Sequence, residues 1–284
     1  MSPHCDNTTE RPVFLAVVME CRFSAGWLAG LCAAAQPPAA ILVAHAGPTA
    51  FTPVPRRWYL GPPLLRVDEV AARHDIPLYR VSDWDAVPDT FLSTFPQLFV
   101  ACYPRLLPAQ RYADLGIAAW NIHPAPLPVL RGPDPLFYTA RGDAPPSVTI
   151  HALSPSYDSG PIIAHKPVHP PADCDEHGYI DAHAATAADL VVQHNSTPAA
   201  SAIPQTGGAG WAAYPRAADY LVLPEWSCAR TSNFIRRTNA RGQAYTVAAT
   251  GERFSRLDPA GSIRVPCADG TLTAFPALST RTPV

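Results

Sequence analysis

The polar residues that could do chemistry are concentrated between residues 121 and 160, where they interrupt apolar, strand-like sequence. The stretch contains Asn121-Ile122-His123-Pro124, Arg131-Gly132-Pro133-Asp134-Pro135, Thr149-Ile150-His151 and Tyr157-Asp158-Ser159-Gly160. Gly116-Ile117-Ala118-Ala119-Trp120 leads into Asn121 and predicts a buried strand whose carboxyl end lies near His123. Side chains alternate along a strand, so positions 121 and 123 face the same way. An amide beside an imidazole combines a hydrogen-bond donor with a group that exchanges protons near neutral pH, its ordinary pKa being about 6.5. The carboxyl edge of an open α/β sheet is where ligands bind. A plainer reading also stands on spacing alone. An Asn at a strand end commonly caps a turn, and a lone His is often a satisfied core or surface group.

The ordered combination of Asn-x-His-Pro, the following Leu-Pro and Arg-Gly, Thr-x-His and Asp-x-Gly resembles the formyltransferase family that uses 10-formyltetrahydrofolate. That family includes methionyl-tRNA, glycinamide ribonucleotide and sugar N-formyltransferases. By this resemblance Asn121, His123 and Asp158 match the catalytic trio. The formyl carbonyl is attacked by an amine, charge develops on its oxygen, and the folate nitrogen must leave with a proton. The Asn121 amide and a hydrogen-donating His123 would hold the oxyanion. His123 would move protons, and Asp158 would orient the imidazole, favour its charged form and hold a relaying water. Neither a covalent intermediate nor a metal is implied. The loop Tyr103-Pro104-Arg105-Leu106-Leu107-Pro108 is similar to the one that packs on the pterin in this family. It implies backbone contacts at Arg105 and Leu107, an apolar slot from Leu106 and Leu107, and further folate contacts at Tyr103 and Tyr157. The alternative is a helix-start loop packing its own leucines. His151 reads either as support behind the trio or as a plain strand position. Asp134 reads as a helix cap ahead of Pro135, which suits a first helical position.

Two departures bear on the substrate. The family's Ser-Leu-Leu-Pro is here Ala125-Pro126-Leu127-Pro128, and its Arg-Gly-Ala-Ala-Pro is Arg131-Gly132-Pro133-Asp134-Pro135. The trio is intact while the acceptor side is reshaped. The resemblance therefore implies an N-formyltransferase acting on an amine or hydroxylamine of a small biosynthetic intermediate, such as an amino acid derivative, a peptide or an amino sugar nucleotide. Methionyl-tRNA formyltransferase is the second reading. A formyl-folate hydrolase or folate-binding protein on the same fold is the third.

The elements that must position these residues follow an α/β pattern. Strands are expected at Pro12–Val18, Ala39–Ala44, Pro77–Val81, Leu98–Cys102, Val148–Leu153 and Pro161–Pro167. Helices are expected at Ser24–Ala35 with Ser24 as cap, Val67–His74, Asp85–Thr94, Asp134–Arg141 and Asp175–Gln193. The fold class is a Rossmann-like formyltransferase domain with a mostly parallel sheet (12–195), then a linker (196–210) and a small β-rich, barrel-like carboxyl-terminal domain (211–284). Residues 1–11 read as a flexible tail. Met19-Glu20-Cys21-Arg22-Phe23-Ser24 stands where a dinucleotide fold would carry G-x-G-x-x-G, which argues against a nicotinamide cofactor. The stretch from His45 to Pro63 reads as a long loop, with Arg56, Arg57, Trp58 and Tyr59 as acceptor contacts or as a surface aromatic cluster.

Composition bounds the rest. The 284 residues suffice for one large domain and a small one. Seven scattered cysteines without a C-x-x-C pair argue against a disulfide framework and a structural zinc site, and for a reducing, cytoplasmic compartment. The apolar run Val13–Met19 is too short to span a membrane. Net charge is −2 and Lys166 is the only lysine, so no basic patch points to nucleic acid. Arg216, Arg230, Arg236, Arg237 and Arg241 do give the tail a local positive bias. A dimer through the small domain is compatible with the chain, although no residue pattern speaks for it.

Overall fold

The computed structural model describes residues 13–45, 51–53, 66–195 and 201–277. Its organising strands are β1 (Phe14–Val18) and β5 (Gln97–Ala101), in which every residue is buried. Such continuous apolar runs suit parallel strands covered on both faces. Alternation sorts their side chains: Phe14, Ala16, Val18, Phe99 and Ala101 enter one core cluster, while Leu15, Val17, Leu98 and Val100 enter the other. The first cluster is closed by α1 (Arg22–Ala33) and α6 (Glu176–His194), through Trp27, Leu28 and Leu31 against Ala184, Ala187 and Val191.

The remaining elements of this sheet are β2 (Ala40–Ala44), β3 (Phe51–Pro53), β4 (Leu78–Val81), β6 (Ala118–His123), β7 (Ser147–Ala152) and β8 (Ile162–Pro167). Helices α2 (Val67–Arg73), α3 (Asp89–Leu92), α4 (Ala109–Asp114) and α5 (Pro135–Arg141) connect them. Strand order is β3-β4-β2-β1-β5-β6-β7-β8. The five strands from β4 to β6 run parallel, and β3, β7 and β8 pair antiparallel at the edges. From β1 the chain first builds outward to β2 and β4, and later returns on the other side through β5. The β1/β5 junction is therefore the topological switch point, with a crevice at its carboxyl end.

A second, five-stranded sheet is ordered β12-β13-β11-β10-β9. It comprises β9 (Leu221–Val222), β10 (Tyr245–Val247), β11 (Arg253–Leu257), β12 (Ile263–Cys267) and β13 (Gly270–Pro276), with α7 (Cys228–Thr238) packed on it. Phe137 of α5 is buried in this core against Tyr220 and Phe234, so the two sheets share a hydrophobic boundary. Arg241 reinforces it with ion pairs to Asp134 and Glu176 at 2.5 and 2.8 Å.

Several boundaries differ from the sequence expectation. Helix α1 starts at Arg22 with Cys21 as N-cap. Ser24 is therefore buried within the first turn, 3.2 Å from the Cys21 Sγ, and does not cap the helix. The expected helix over 85–94 is split into a 3-10 turn (Trp84–Ala86) and α3. Pro88 is responsible, because the residue before a proline is driven extended, and Val87 has ψ 118°. Asp134 does precede α5, with Pro135 in the first turn, but it makes no side-chain cap bond and turns to Arg241 instead. Helix α4 begins directly after the Tyr103–Pro108 loop, as a helix-start loop requires, whereas strand β11 was not anticipated, and β3 falls within the stretch read as a loop. Arg56, Arg57, Trp58 and Tyr59 lie outside the described residues.

Candidate functional site

A cavity of about 400 Å³ opens at the carboxyl ends of β1, β5 and β6, where Met19, Cys102, Asn121 and His123 meet Tyr157 and Asp158. Alternation along β6 brings Asn121 and His123 to one face, as expected. The antiparallel register with β7 places His151 directly across from Asn121, and Thr149 across from His123.

These groups converge on Asp158. Its Oδ1 lies 3.2 Å from Asn121 Nδ2, 3.7 Å from His123 Nδ1 and 3.6 Å from His151 Nε2. Its Oδ2 accepts from the Gly132 backbone N–H at 2.8 Å. The hydrogen-bond pattern fixes which atoms donate. His123 Nε2 is 2.6 Å from the Leu130 carbonyl, so Nε2 carries a proton and Nδ1 is the titrating nitrogen. His151 Nδ1 likewise donates to the Ala152 carbonyl at 2.9 Å. Its Nε2 then accepts from Asn121 Nδ2 at 3.0 Å. Both amide hydrogens of Asn121 are thus engaged within the cluster, leaving Oδ1 as the group's remaining valence.

Burial and charge set the protonation states. Burial lowers the His123 pKa below its ordinary value, and the Asp158 charge opposes that shift without reversing it. Burial works to raise Asp158, but His151 and His123, which face it as cations once protonated at low pH, and the Gly132 N–H outweigh it and hold the carboxyl at about 2. The resting cluster is therefore a neutral imidazole beside an ionised carboxylate.

Tyr103, Arg105, Leu106, Leu107 and Tyr157 line a second, narrower cleft of about 50 Å³ that shares the Asn121 and Asp158 wall. It is far smaller than ordinary ligand pockets of about 300–1,000 Å³, so a bicyclic ring enters only if the walls part. Leu106 and Tyr157, 44% and 49% exposed, are the free walls, whereas Leu107 is buried in the core. The Arg105 guanidinium is turned away to the Ser82 carbonyl. A larger cleft of about 730 Å³, where Asp175 and Arg236 face Arg256 and Asp258, lies away from this chemistry.

Sequence reasoning missed the segment that frames the site. Residues 203–212 run beside β8 and the Arg131 loop: Ile203 exchanges backbone bonds with Ile162, and Ala212 N donates to Arg131 O. Gln205 donates to the carbonyls of Asp158 and Gly160 at 2.9 and 2.7 Å and accepts from Arg131. Trp211 reaches the cavity and meets Tyr157 edge-on at 6.3 Å. Asp158 is held in left-handed backbone at φ 50°. The Asp-Ser-Gly signal was the available clue, since a Cβ at Gly160 would lie 1.8 Å from the Ala152 oxygen. Among the described residues no group of three or more His, Cys, Asp or Glu is arranged to hold a metal, and no helix is long and apolar enough to cross a membrane.

The architecture is shared with solved formyltransferases: this is a chain of the formyltransferase fold, and it resembles formyltransferases in sequence over part of its length as well. A sugar 3N-formyltransferase solved with dTDP and 5-N-formyl-THF superimposes with TM-score 0.57 at 12% identity, covering 94% of this chain and 98% of that one. The N-formyltransferase from Helicobacter canadensis, solved with folinic acid and dTDP-3-aminofucose, gives 0.55 at 12% identity over 93% and 100%. In sequence the chain is similar to methionyl-tRNA formyltransferase of Chloroflexus aurantiacus, 32% identical over 145 residues, which is 50% of this chain and 46% of that protein. The chain thus spans less than half the length of the curated relatives it matches first. No profile of a known protein family matches it.

Proposed function

We propose that this chain is an N-formyltransferase that moves the formyl group of 10-formyltetrahydrofolate to a primary amine or hydroxylamine of a small biosynthetic intermediate. The observation that carries this reading is the convergence of Asn121, His123 and His151 on one oxygen of Asp158, at a wall common to both cavities. The narrow cleft beside Leu106 and Tyr157 would widen to take the pterin, and the acceptor would enter the larger cavity past Trp211.

In this mechanism the acceptor nitrogen attacks the formyl carbon and loses a proton to His123 Nδ1. That nitrogen is basic and free to act because Nε2–H is committed to Leu130. The imidazolium formed faces the Asp158 carboxylate. As the tetrahedral intermediate collapses, the C–N bond to the folate breaks, and the proton from His123 goes to the leaving folate nitrogen. Asn121 donates to the oxyanion by exchanging its longer bond, to Asp158, for the substrate oxygen while keeping His151 as anchor. His151 on this account positions the amide.

Amino sugar nucleotides fall within the proposed class because the structural neighbours were solved with a deoxythymidine nucleotide or nucleotide sugar. The sequence relatives favour methionyl-tRNA as a second acceptor. Against it, Arg230, Arg236 and Arg241 are paired within the chain, with Asp143, Asp173 and with Asp134 and Glu176, and Arg237 lies over the Tyr179 ring. Purified protein is tested with 10-formyltetrahydrofolate against amino sugar nucleotides, amino acids, N-hydroxyornithine and charged initiator tRNA. Tetrahydrofolate release that depends on a small amine is the expected result. Dependence on tRNA would replace the proposed acceptor class, and formate release without any acceptor would replace the transferase by a hydrolase.

A further inference from the structure

Several of the large apolar side chains that the fold leaves exposed gather on one cavity. Met19, Tyr157, Trp211 and Tyr214 all line the 400 Å³ space, with Trp211 and Tyr214 57% and 69% exposed. Apolar residues scattered singly over a surface need no explanation, whereas a group of them around a cavity marks where a ligand or partner covers them. The volume lies at the small end of the ordinary range for ligand pockets.

The rings are exposed yet their backbone is fixed. On either side of Trp211, Gly210 N donates to the Pro128 carbonyl and Ala212 N to the Arg131 carbonyl. The approach is close: a Cβ at Gly210 would stand 2.1 Å from the Val129 oxygen, and one at Gly132 would stand 3.2 Å from Cδ2 of the Trp211 ring. The loop that carries Tyr157 is held in turn by Gln205, through the carbonyls of Asp158 and Gly160. Tyr157 and Trp211 meet edge-on, with their planes 68° apart, so both keep ring surface open to the solvent.

Charge adds a second requirement. Of the carboxylates on the wall, Asp134 is balanced by Arg241, whereas Asp158 is ionised beside the neutral His123 and leaves a negative charge there. An aromatic ligand gains by packing on the exposed rings, and an ammonium is drawn both to a carboxylate and to the faces of Tyr and Trp. We propose that the acceptor subsite of this cavity takes a small aromatic amine, its ring against Tyr157, Trp211 and Tyr214 and its nitrogen towards Asp158. The inference rests on the formyl transfer proposed above and narrows its acceptor from amines in general to those that carry an aromatic ring. The bound ammonium gives one proton to solvent before the free amine attacks the formyl carbon, and a second passes to His123 Nδ1 as already described.

The test titrates phenethylamine into the full chain at neutral pH by calorimetry, without folate. Butylamine, which has the charge but no ring, and phenethyl alcohol, which has the ring but no charge, are titrated beside it. Phenethylamine is expected to bind roughly tenfold or more tighter than either. Trp211→Ala should bring it down to the level of butylamine, and Trp211→Phe should restore most of the difference. Because Trp211 is exposed, neither variant should shift the melting temperature appreciably. Equal affinity for phenethylamine and butylamine, or undiminished binding in Trp211→Ala, would overturn the proposal. Tighter binding of dTDP that is lost in Trp211→Ala would also overturn it, in favour of a nucleotide. Formyl transfer is followed separately: ring-dependent binding without transfer would remove the transferase reading and leave the site, whereas transfer to amines irrespective of a ring would remove the site and leave the transferase.

Discussion

His123 is fixed by a carbonyl on one nitrogen and faces a carboxylate with the other, so its charge state is set by how far burial outweighs Asp158. Burial wins, and the imidazole is neutral where an exposed histidine would begin to charge. Asp158 stays ionised down to about 2. The acid limb of kcat/KM should therefore follow protonation of His123 and lie below pH ~6.5, the ordinary histidine value, with Asp158 adding no limb above that of a free carboxylate. A limb above this value, measured under saturating folate, would mean that the imidazole rests charged. The same linkage fixes the sign for stability. The depressed Asp158 pKa contributes stability above the ordinary carboxylate range, and this is lost as pH falls from there towards 2. Asn121 and His123 were legible in the sequence because alternation along a single apolar strand pairs them. The engagement of the Asn121 amide with His151 was not, because it depends on the cross-strand register of β6 and β7, which no local pattern states.

Among elements, the buried parallel strands were the most legible, since β1 is a short continuous apolar run and β5 is one behind Gln97. Where punctuation competes with periodicity the reading shifted, as at Pro88 and at the start of α1. Residues 203–212 carried no periodic signal at all: Gly, Ala, Pro, Gln and Thr separate Ile203 from Trp211 without a helix or strand period, and much of their role is made by backbone bonds to Arg131, Ile162 and Asp134. That contact imposes a constraint on Gly132. Its φ is 115°, and an added Cβ would stand 2.8 Å from the Ala212 oxygen. Gly132→Ala should destabilise the chain by about 1–3 kcal/mol, the ordinary cost of a strained backbone position, and loosen the N–H bond to Asp158. Thermal melting alongside the pH profile checks this. An unchanged melting temperature with an unchanged acid limb would show that the loop relaxes without cost and does not position the carboxylate.

For the whole molecule, the mostly parallel sheet and the following β-rich sheet were both legible, but not how they join. Phe137 sits on a helix of the first sheet and is buried in the core of the second, while Arg241 returns from the second to Asp134 beside the cavity. Long-range pairs of this kind are set by packing, and a single sequence gives no pattern for them. They also mean that the second sheet supports a residue on the cavity wall. The proposed role of Asn121, His123 and Asp158 is tested most directly by single-turnover formyl transfer from 10-formyltetrahydrofolate to a small amine acceptor, comparing the unaltered chain with His123→Ala. Loss of general-base chemistry should slow transfer by roughly 100- to 10,000-fold. Folate binding, measured in parallel, should persist, because the cleft at Leu106 and Tyr157 does not include His123. Transfer at a near-normal rate in a variant that still binds folate would contradict the account.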